Sequence, residues 1–359
     1  MADVITVNGS ISPSELGVTM SHTHLLSELS VSERHIQSSS ELTEESDMTD
    51  YDRLLLDKPV TMDILGTIRR HVMSVKDNTI LGDVNLAIEE LMFYKKMGGT
   101  SVVETTLVGL KRDPIGLRKI SSATGVNVIS ASGWYIAGSH PAFVKEGDID
   151  ELCDYMVNEL TVGISDTGIR TGIIKAAMSG STPDIPFSGD EEKVLRAAAR
   201  AQAKTGAAMT VHPCHHYGRA RHWQTYLNIM QNEGANLEKC YLSHMEFYCT
   251  DLDYQKSLLE RGVTVSYDQF GGEQYVRPGW PKPSDQMRVN GVRQLVKAGY
   301  TKQIVLSNEI VYKCNLRKYG GYGYAHVLEN IALDLIYYGV TEQQLNTMLI
   351  ENPKQLLPF

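Results

Sequence analysis

The residues of this chain that could do chemistry form a short set with a common requirement. The segment SHTHLL (21–26) places His22 and His24 at i and i+2, a spacing that turns both imidazoles to one face of a strand. Two neutral imidazoles converging on one point suit Zn²⁺ or a similar divalent cation. Lys175, in TGIIKAAMSG (171–180), ends an apolar run. A buried ammonium is costly unless paired or neutralised, so Lys175 is either a structural lysine with a carboxylate or solvent outlet, or an amine of lowered pKa. His212 closes AAMTVHP and His244 lies in KCYLSHM, about one βα unit further on. One such histidine is ordinarily a satisfied core residue; two in successive units, added to the N-terminal pair and the lysine, read as metal ligands. Glu309, in IVLSNEI (304–310), is either a helix N-terminal acid or a carboxylate that ligates a cation and takes a proton from acidified water. Asp268, in SYDQFGG, is the weaker candidate, a partner that supports a ligand.

These residues need a scaffold that brings distant segments together. Eight β-branched or apolar runs recur along the chain: 16–24, 101–106, 126–132, 172–175, 207–212, 240–244, 263–268 and 303–307. Segments of helical spacing separate several of them, such as 191–206 and 251–262, both ending in Gly, as helix termini prefer. Strand-to-strand steps of about 25 to 40 residues have the size of a βα unit. The pattern predicts an α/β fold, a (β/α)₈ TIM barrel, whose functional residues gather at the C-terminal ends of the strands. An open doubly wound sheet is the runner-up, but it does not bring first and last strands together. We expect one domain over 1–359 with an inserted loop or lid around 30–85, including the acidic stretch QSSSELTEESDMTD (37–50).

Bulk properties narrow the partners. The net charge of −9 over 359 residues argues against nucleic acid, which needs a basic face. It leaves room for a small-molecule substrate. No run reaches the length of a membrane span, no N-terminal signal pattern is seen, and five dispersed cysteines without a C-x-x-C pair fit a reducing compartment. A cytoplasmic location is expected. No nucleophile elbow, P-loop or dinucleotide fingerprint is present; Cys214, flanked by histidines, is the best nucleophile for a rival, metal-free hydrolase.

Several blocks, in order, resemble the phosphotriesterase family of the amidohydrolase superfamily. They are LGVTMSHTHLL, PVTMDILGTIRRHVMSVKDN, GGTSVVETTLVGLKRDP, GIIKAA, TVHP, LSH, RKYGGYGYAHVLENI and IENPKQLLPF. The resemblance covers nearly the whole chain. It implies a binuclear centre, usually zinc, with His22 and His24 on a buried ion and His212 and His244 on a more exposed one. It implies that Lys175 is carbamylated and bridges both ions together with a hydroxide, and that Glu309 ligates and takes the proton. The family ends its eighth strand with Asp, where this chain has Ser307-Asn308-Glu309. The extra methylene moves the carboxylate by up to ~1 Å, a displacement large enough to change rates strongly. The implied activity is hydrolysis of a lactone or carboxylic ester, with phosphotriesters, amides and a weakened metal-binding protein as alternatives. Tyr135 is expected in the pocket wall, Arg277 and Lys282 at an anionic substrate group, and the family suggests a homodimer.

Overall fold

The computed structural model describes residues 2–29, 49–73, 75–180, 182–277 and 280–359; the side chains of Asp52, Tyr217, Val276, Arg277 and Trp280 lie outside that description. Of the stretch 37–50 expected as a loop or lid, only Thr49 and Asp50 fall among the described residues.

Eight strands form the central sheet: β1 (Val18–Thr23), β2 (Gly99–Glu104), β3 (Asn127–Trp134), β4 (Ile173–Ala177), β5 (Ala208–His212), β6 (Cys240–Leu242), β7 (Thr264–Tyr267) and β8 (Ile304–Leu306). They pair in sequence order, and every neighbouring pair is parallel. Each of the eight expected runs overlaps one of these strands, and the fold is a TIM barrel. Helices alternate with the strands. Glu191–Thr205 has acids in its first turn, Lys204 in its last and Gly206 at φ 74° beyond it, matching the helix dipole and the left-handed stop. The helix expected over 251–262 is shorter, Leu252–Leu259, with the Asp251 side chain capping it and a turn leading to Gly262. Among the described residues no helix is long and apolar enough to cross a membrane.

Strand alternation separates two environments. On β4, Ile174 and Ala176 pack outward with Ala197, Ala198 and Ala201 of the helix that follows. Ile173 joins Ala208, Tyr241 and Val305 inside, where Val4, Leu356 and Leu357 close the N-terminal end. Above that apolar floor lies a layer of hydroxyls. Tyr241 donates to the Ser21 carbonyl at 3.1 Å, Thr210 and Ser243 share a bond of 2.8 Å, and Ser21 and Ser266 share one of 3.2 Å. The barrel therefore changes from apolar to polar from floor to mouth.

The seam between β8 and β1 is held by hydroxyls rather than by a ladder. Ser307 Oγ donates to the His22 carbonyl at 2.5 Å, Ser21 Oγ to the Leu306 carbonyl at 3.4 Å, and Ile310 N–H to Thr23 Oγ1 at 3.2 Å. Beside this seam the β1–β2 register shifts between Met20 and Thr23. Ser21 and His22 are adjacent, yet both reach partners inside the barrel, which a regular strand forbids. The irregularity is what swings His22 inward, a common use of bulges beside functional sites.

The segment after β1 returns to cover the mouth. Leu55, Ile64, Ile68 and Val72 pack with Val311, Tyr312 and Cys314 from the connection after β8. An Asp77–Lys313 ion pair and a Cys314 N–H bond to Asn78 Oδ1 at 2.9 Å fix the contact.

Gly133 shows how tightly β3 and β4 meet under the site. It pairs with Lys175, has φ +128°, and a Cβ there would lie 2.0 Å from the Lys175 carbonyl oxygen. Gly133→Ala is expected to cost about 2 kcal/mol or more, read as a lowered denaturant midpoint; an unchanged midpoint would show that the backbone can yield there.

Candidate metal centre

The strand ends bring the five expected ligands to one place. His22, His24, Lys175 and His244 are buried, and Glu309 is nearly so. Lys175 Nζ lies 3.2 Å from His22 Nε2. Glu309 Oε1 lies 3.1 Å from His22 Nε2 and 3.3 Å from His24 Nε2. His212 Nδ1 faces His244 Nε2 at 2.8 Å, and the His22 and His244 ring centroids are 5.1 Å apart. The donor atoms of His22, His24 and Glu309 all fall within 4.8 Å of one another.

Bonds from neighbouring side chains aim three of the rings. Thr106 Oγ1 donates to Glu104 Oε1 at 2.5 Å, so its oxygen is left to accept from His24 Nδ1 at 2.7 Å. That fixes the tautomer with a bare Nε2 on the Glu309 side. Glu104 is itself held by the N–H groups of Leu25 and Thr106, each at 3.2 Å. His22 Nδ1 is bonded to Ser243 Oγ at 3.0 Å. His244 Nδ1 is 2.7 Å from Asp268 Oδ1, which directs its Nε2 toward His212. Its backbone is left-handed, φ 61° and ψ 36°, and the same Asp268 carboxylate accepts its N–H at 3.2 Å. A strained non-glycine residue at a site is a feature the surroundings must hold.

Charge balance favours cation-binding forms. Burial, reinforced by Lys175, lowers the His22 pKa to about 4, and burial with the neighbouring His244 holds His212 well below its ordinary value. Both imidazoles are neutral at neutral pH. Burial pulls Lys175 down to about 8 against the opposing charges of Glu309, Asp268 and Glu104, which brings the free amine within reach. Burial alone would raise Glu309, but His244 and His22 hold it well below the usual carboxylate range. Burial opposes ionisation of Asp268 too, and His244 and His22 outweigh it. A second acid–imidazole group, His244, Glu246 and Asp268, is also within ligating distance. It is better suited to support: burial and the Asp268 charge push Glu246 up to about 8, and His244 Nδ1 is already engaged. The neutral imidazoles and ionised carboxylate at the mouth match the ligand chemistry of zinc-type divalent ions.

The remaining expected residues fall as follows. The Tyr135 ring packs edge-on against His212 at 5.3 Å and lies 5.9 Å from Lys175 Nζ, in the wall of the mouth. Lys282 Nζ lies 5.6 Å from the Tyr312 ring centroid. Arg277 ends a short strand, Tyr275–Arg277, and its side chain lies outside the described residues. Cys214 is buried with its thiol pushed up to about 12 by burial and by Glu191, a poor nucleophile. The sequence reading did not single out Thr106, Ser243 or Gln269. Gln269 Nε2 donates to Glu309 Oε2 at 3.1 Å, and the Glu309 N–H bonds the Asp268 carbonyl. Together they anchor the Glu309 carboxylate and leave Oε1 turned to the imidazoles.

A parallel barrel with buried imidazoles and a carboxylate at its C-terminal mouth has the layout of a barrel enzyme with its centre on the strand ends. The Phosphotriesterase family model matches residues 2–357, and the chain belongs to that family. It is similar to the N-acetyltaurine hydrolase of Homo sapiens, 33% identical over 361 residues, 99% of this chain and 98% of that protein. It is likewise similar to a phosphotriesterase-related protein of Nematostella vectensis, 33% identical over 360 residues with 99% and 98% covered. The crystal structure of a resiniferatoxin-binding protein from Rhodobacter sphaeroides superposes with a TM-score of 0.89 at 31% identity, covering 99% of this chain and 95% of that one.

Thr106→Val keeps the shape and removes the acceptor for His24 Nδ1. We expect divalent-ion affinity to fall ~10–100-fold with unfolding little changed, measured by competition with a chromogenic chelator. Equal affinity in the variant would remove Thr106 from the centre.

Proposed function

We propose that the chain is a metal-dependent hydrolase of carboxylic acyl bonds. The observation that carries this is the convergence of His22, His24, Lys175, His212, His244 and Glu309 at the barrel mouth. In this reading His22, His24 and Glu309 would hold one divalent ion and His212 and His244 another, with Lys175, as a carbamate, contributing to both; zinc is the ion the donor set suits. Such a pair, when bound, polarises a carbonyl oxygen and acidifies water.

The protein's own part follows from its geometry. Glu309, ionised and held by Gln269 through Oε2, turns Oε1 toward His22 and His24, where a carboxylate can accept a proton at the mouth. Asp268 and Ser243 hold His244 and His22 in fixed orientations, so little reorganisation is needed during reaction. Tyr135 narrows the opening beside His212. Amides, esters and lactones share the carbonyl that such a centre attacks. Amides come first for this chain, because the relatives of 33% identity bear the name N-acetyltaurine hydrolase; lactones and carboxylic esters follow from the family resemblance.

A second reading, a metal-bearing binding protein with weakened catalysis, is favoured by Glu309 in the place of the family's Asp and by the resiniferatoxin-binding relative.

Glu309→Gln is expected to lower kcat on an amide, ester and lactone panel by ~10²–10⁴-fold without loss of folding; an unaltered kcat would take Glu309 out of the chemistry. Glu309→Asp separates the two readings: lost turnover marks a carboxylate adapted to its place, and a large gain marks a weakened catalyst. Lys175→Ala should lose both metal and activity, and unchanged values of both would refute the bridging role.

A further inference from the structure

Asp285 opens the helix Asp285–Lys297 between β7 and β8, with Ser284 as its cap. An acid in the first turn of a helix suits the dipole, but this carboxylate has further partners. Its oxygens accept from the Gly271 N–H at 2.9 and 3.1 Å, from Arg288 Nη1 at 2.6 Å and from His326 Nε2 at 2.7 Å. Asn330 Nδ2 donates to His326 Nδ1 at 3.0 Å, which leaves the His326 proton on Nε2, facing Asp285. Arg288 is fully buried and also donates to the Gly272 carbonyl at 2.8 Å. Burial opposes the charge of Asp285, but His326 and Arg288 outweigh it and hold its pKa below the ordinary value.

These bonds converge on the turn after β7, residues 269–272. Gly271 has φ +81°, and a Cβ there would lie 3.0 Å from His326 Cδ2, so turn and imidazole are in close contact. The Gly272 N–H closes the turn on the Gln269 carbonyl at 2.9 Å. Gln269 forms an antiparallel bridge with Asn308, and its Nε2 donates to Glu309 Oε2 at 3.1 Å. The turn is thus tied on one side to the connection that carries Glu309 and on the other to Asp285. A glutamine side chain loses rotamer freedom when it is held, and it can steady a carboxylate only if its own backbone is fixed. We propose that Asp285 is a positioning residue of the centre: by gathering Gly271, Arg288 and His326 on one carboxylate it fixes the turn, and through Gln269 it sets the carboxylate of Glu309. For its effect on rate the inference rests on the hydrolase reading above; its effect on ion binding does not. A displacement of ~1 Å at a reacting group is enough to change rates strongly.

The test is a double-mutant cycle of Asp285→Asn with Gln269→Leu, read in Zn²⁺ affinity by chelator competition and in kcat on the acyl panel. Each single variant should weaken Zn²⁺ binding and lower kcat by about tenfold, with KM little changed. In the Gln269→Leu background Asp285→Asn should add less than about twofold to either loss, because the path through Gln269 is already cut. A carboxylate that only stabilised the fold would act alike in both backgrounds. Losses that multiply would therefore overturn the proposal, and so would an Asp285→Asn protein with wild-type Zn²⁺ affinity. Asp285→Asn strands the buried Arg288 charge. If that variant does not fold, Asp285→Glu, which keeps the charge and moves the carboxylate, takes its place in the cycle with the same expected outcomes. If the wild-type protein binds Zn²⁺ but hydrolyses no panel member, the hydrolase reading fails separately and the Zn²⁺ cycle decides the positioning role.

Discussion

Imidazole lone pairs and carboxylate oxygens withdrawn from water are unfavourable neighbours unless something positive lies among them. The mouth of this barrel brings four imidazoles, one carboxylate and one amine together, and much of the surrounding structure exists to keep them there. The hydroxyl layer beneath the site is part of that work. Ser243 and Thr106 each engage the Nδ1 of a ring whose Nε2 faces the centre, and Asp268 does the same for His244 while steadying its left-handed backbone. Each of these partners is buried, so each gives direction without opening a path for water.

Closure of the sheet is the second condition. His22 and Glu309 are 287 positions apart in sequence and yet 3.1 Å apart in space, because β8 returns to β1. That seam relies on Ser307, Ser21 and Thr23 rather than on ladder hydrogen bonds. The register shift in β1 then turns His22 inward beside Ser21. Seam and site are thus built from the same few residues.

Much of this was legible in the sequence. The eight β-branched or apolar runs located all eight strands, and the five ligand candidates arrive at one mouth because parallel barrels place strand ends on one face. Less legible was everything that depends on contact between distant segments. Nothing in SHTHLL signals a bulge, and i, i+2 spacing alone does not say which face a histidine pair adopts. Thr106 and Ser243 are common residue types whose role appears only when a ring nitrogen lies within 3 Å of them. Gln269 was passed over because an amide carries no charge and does not ligate in the usual zinc sets. Its importance follows from its bond to Glu309 Oε2, a contact that only the fold brings about. The helix over 251–262 was overextended because Glu260 and Arg261 have good helix propensity, yet the chain turns after Leu259 to reach Gly262.

The proposed hydrolase function requires two cations divided between two groups of ligands. Calorimetric titration of the metal-stripped protein with Zn²⁺ measures that division directly, comparing wild type with the double variant His212→Asn/His244→Asn. We predict two ions per wild-type chain and one in the variant, with the remaining ion held by His22, His24 and Glu309. Saturation of the wild type at a single ion, or two ions retained by the variant, would contradict it.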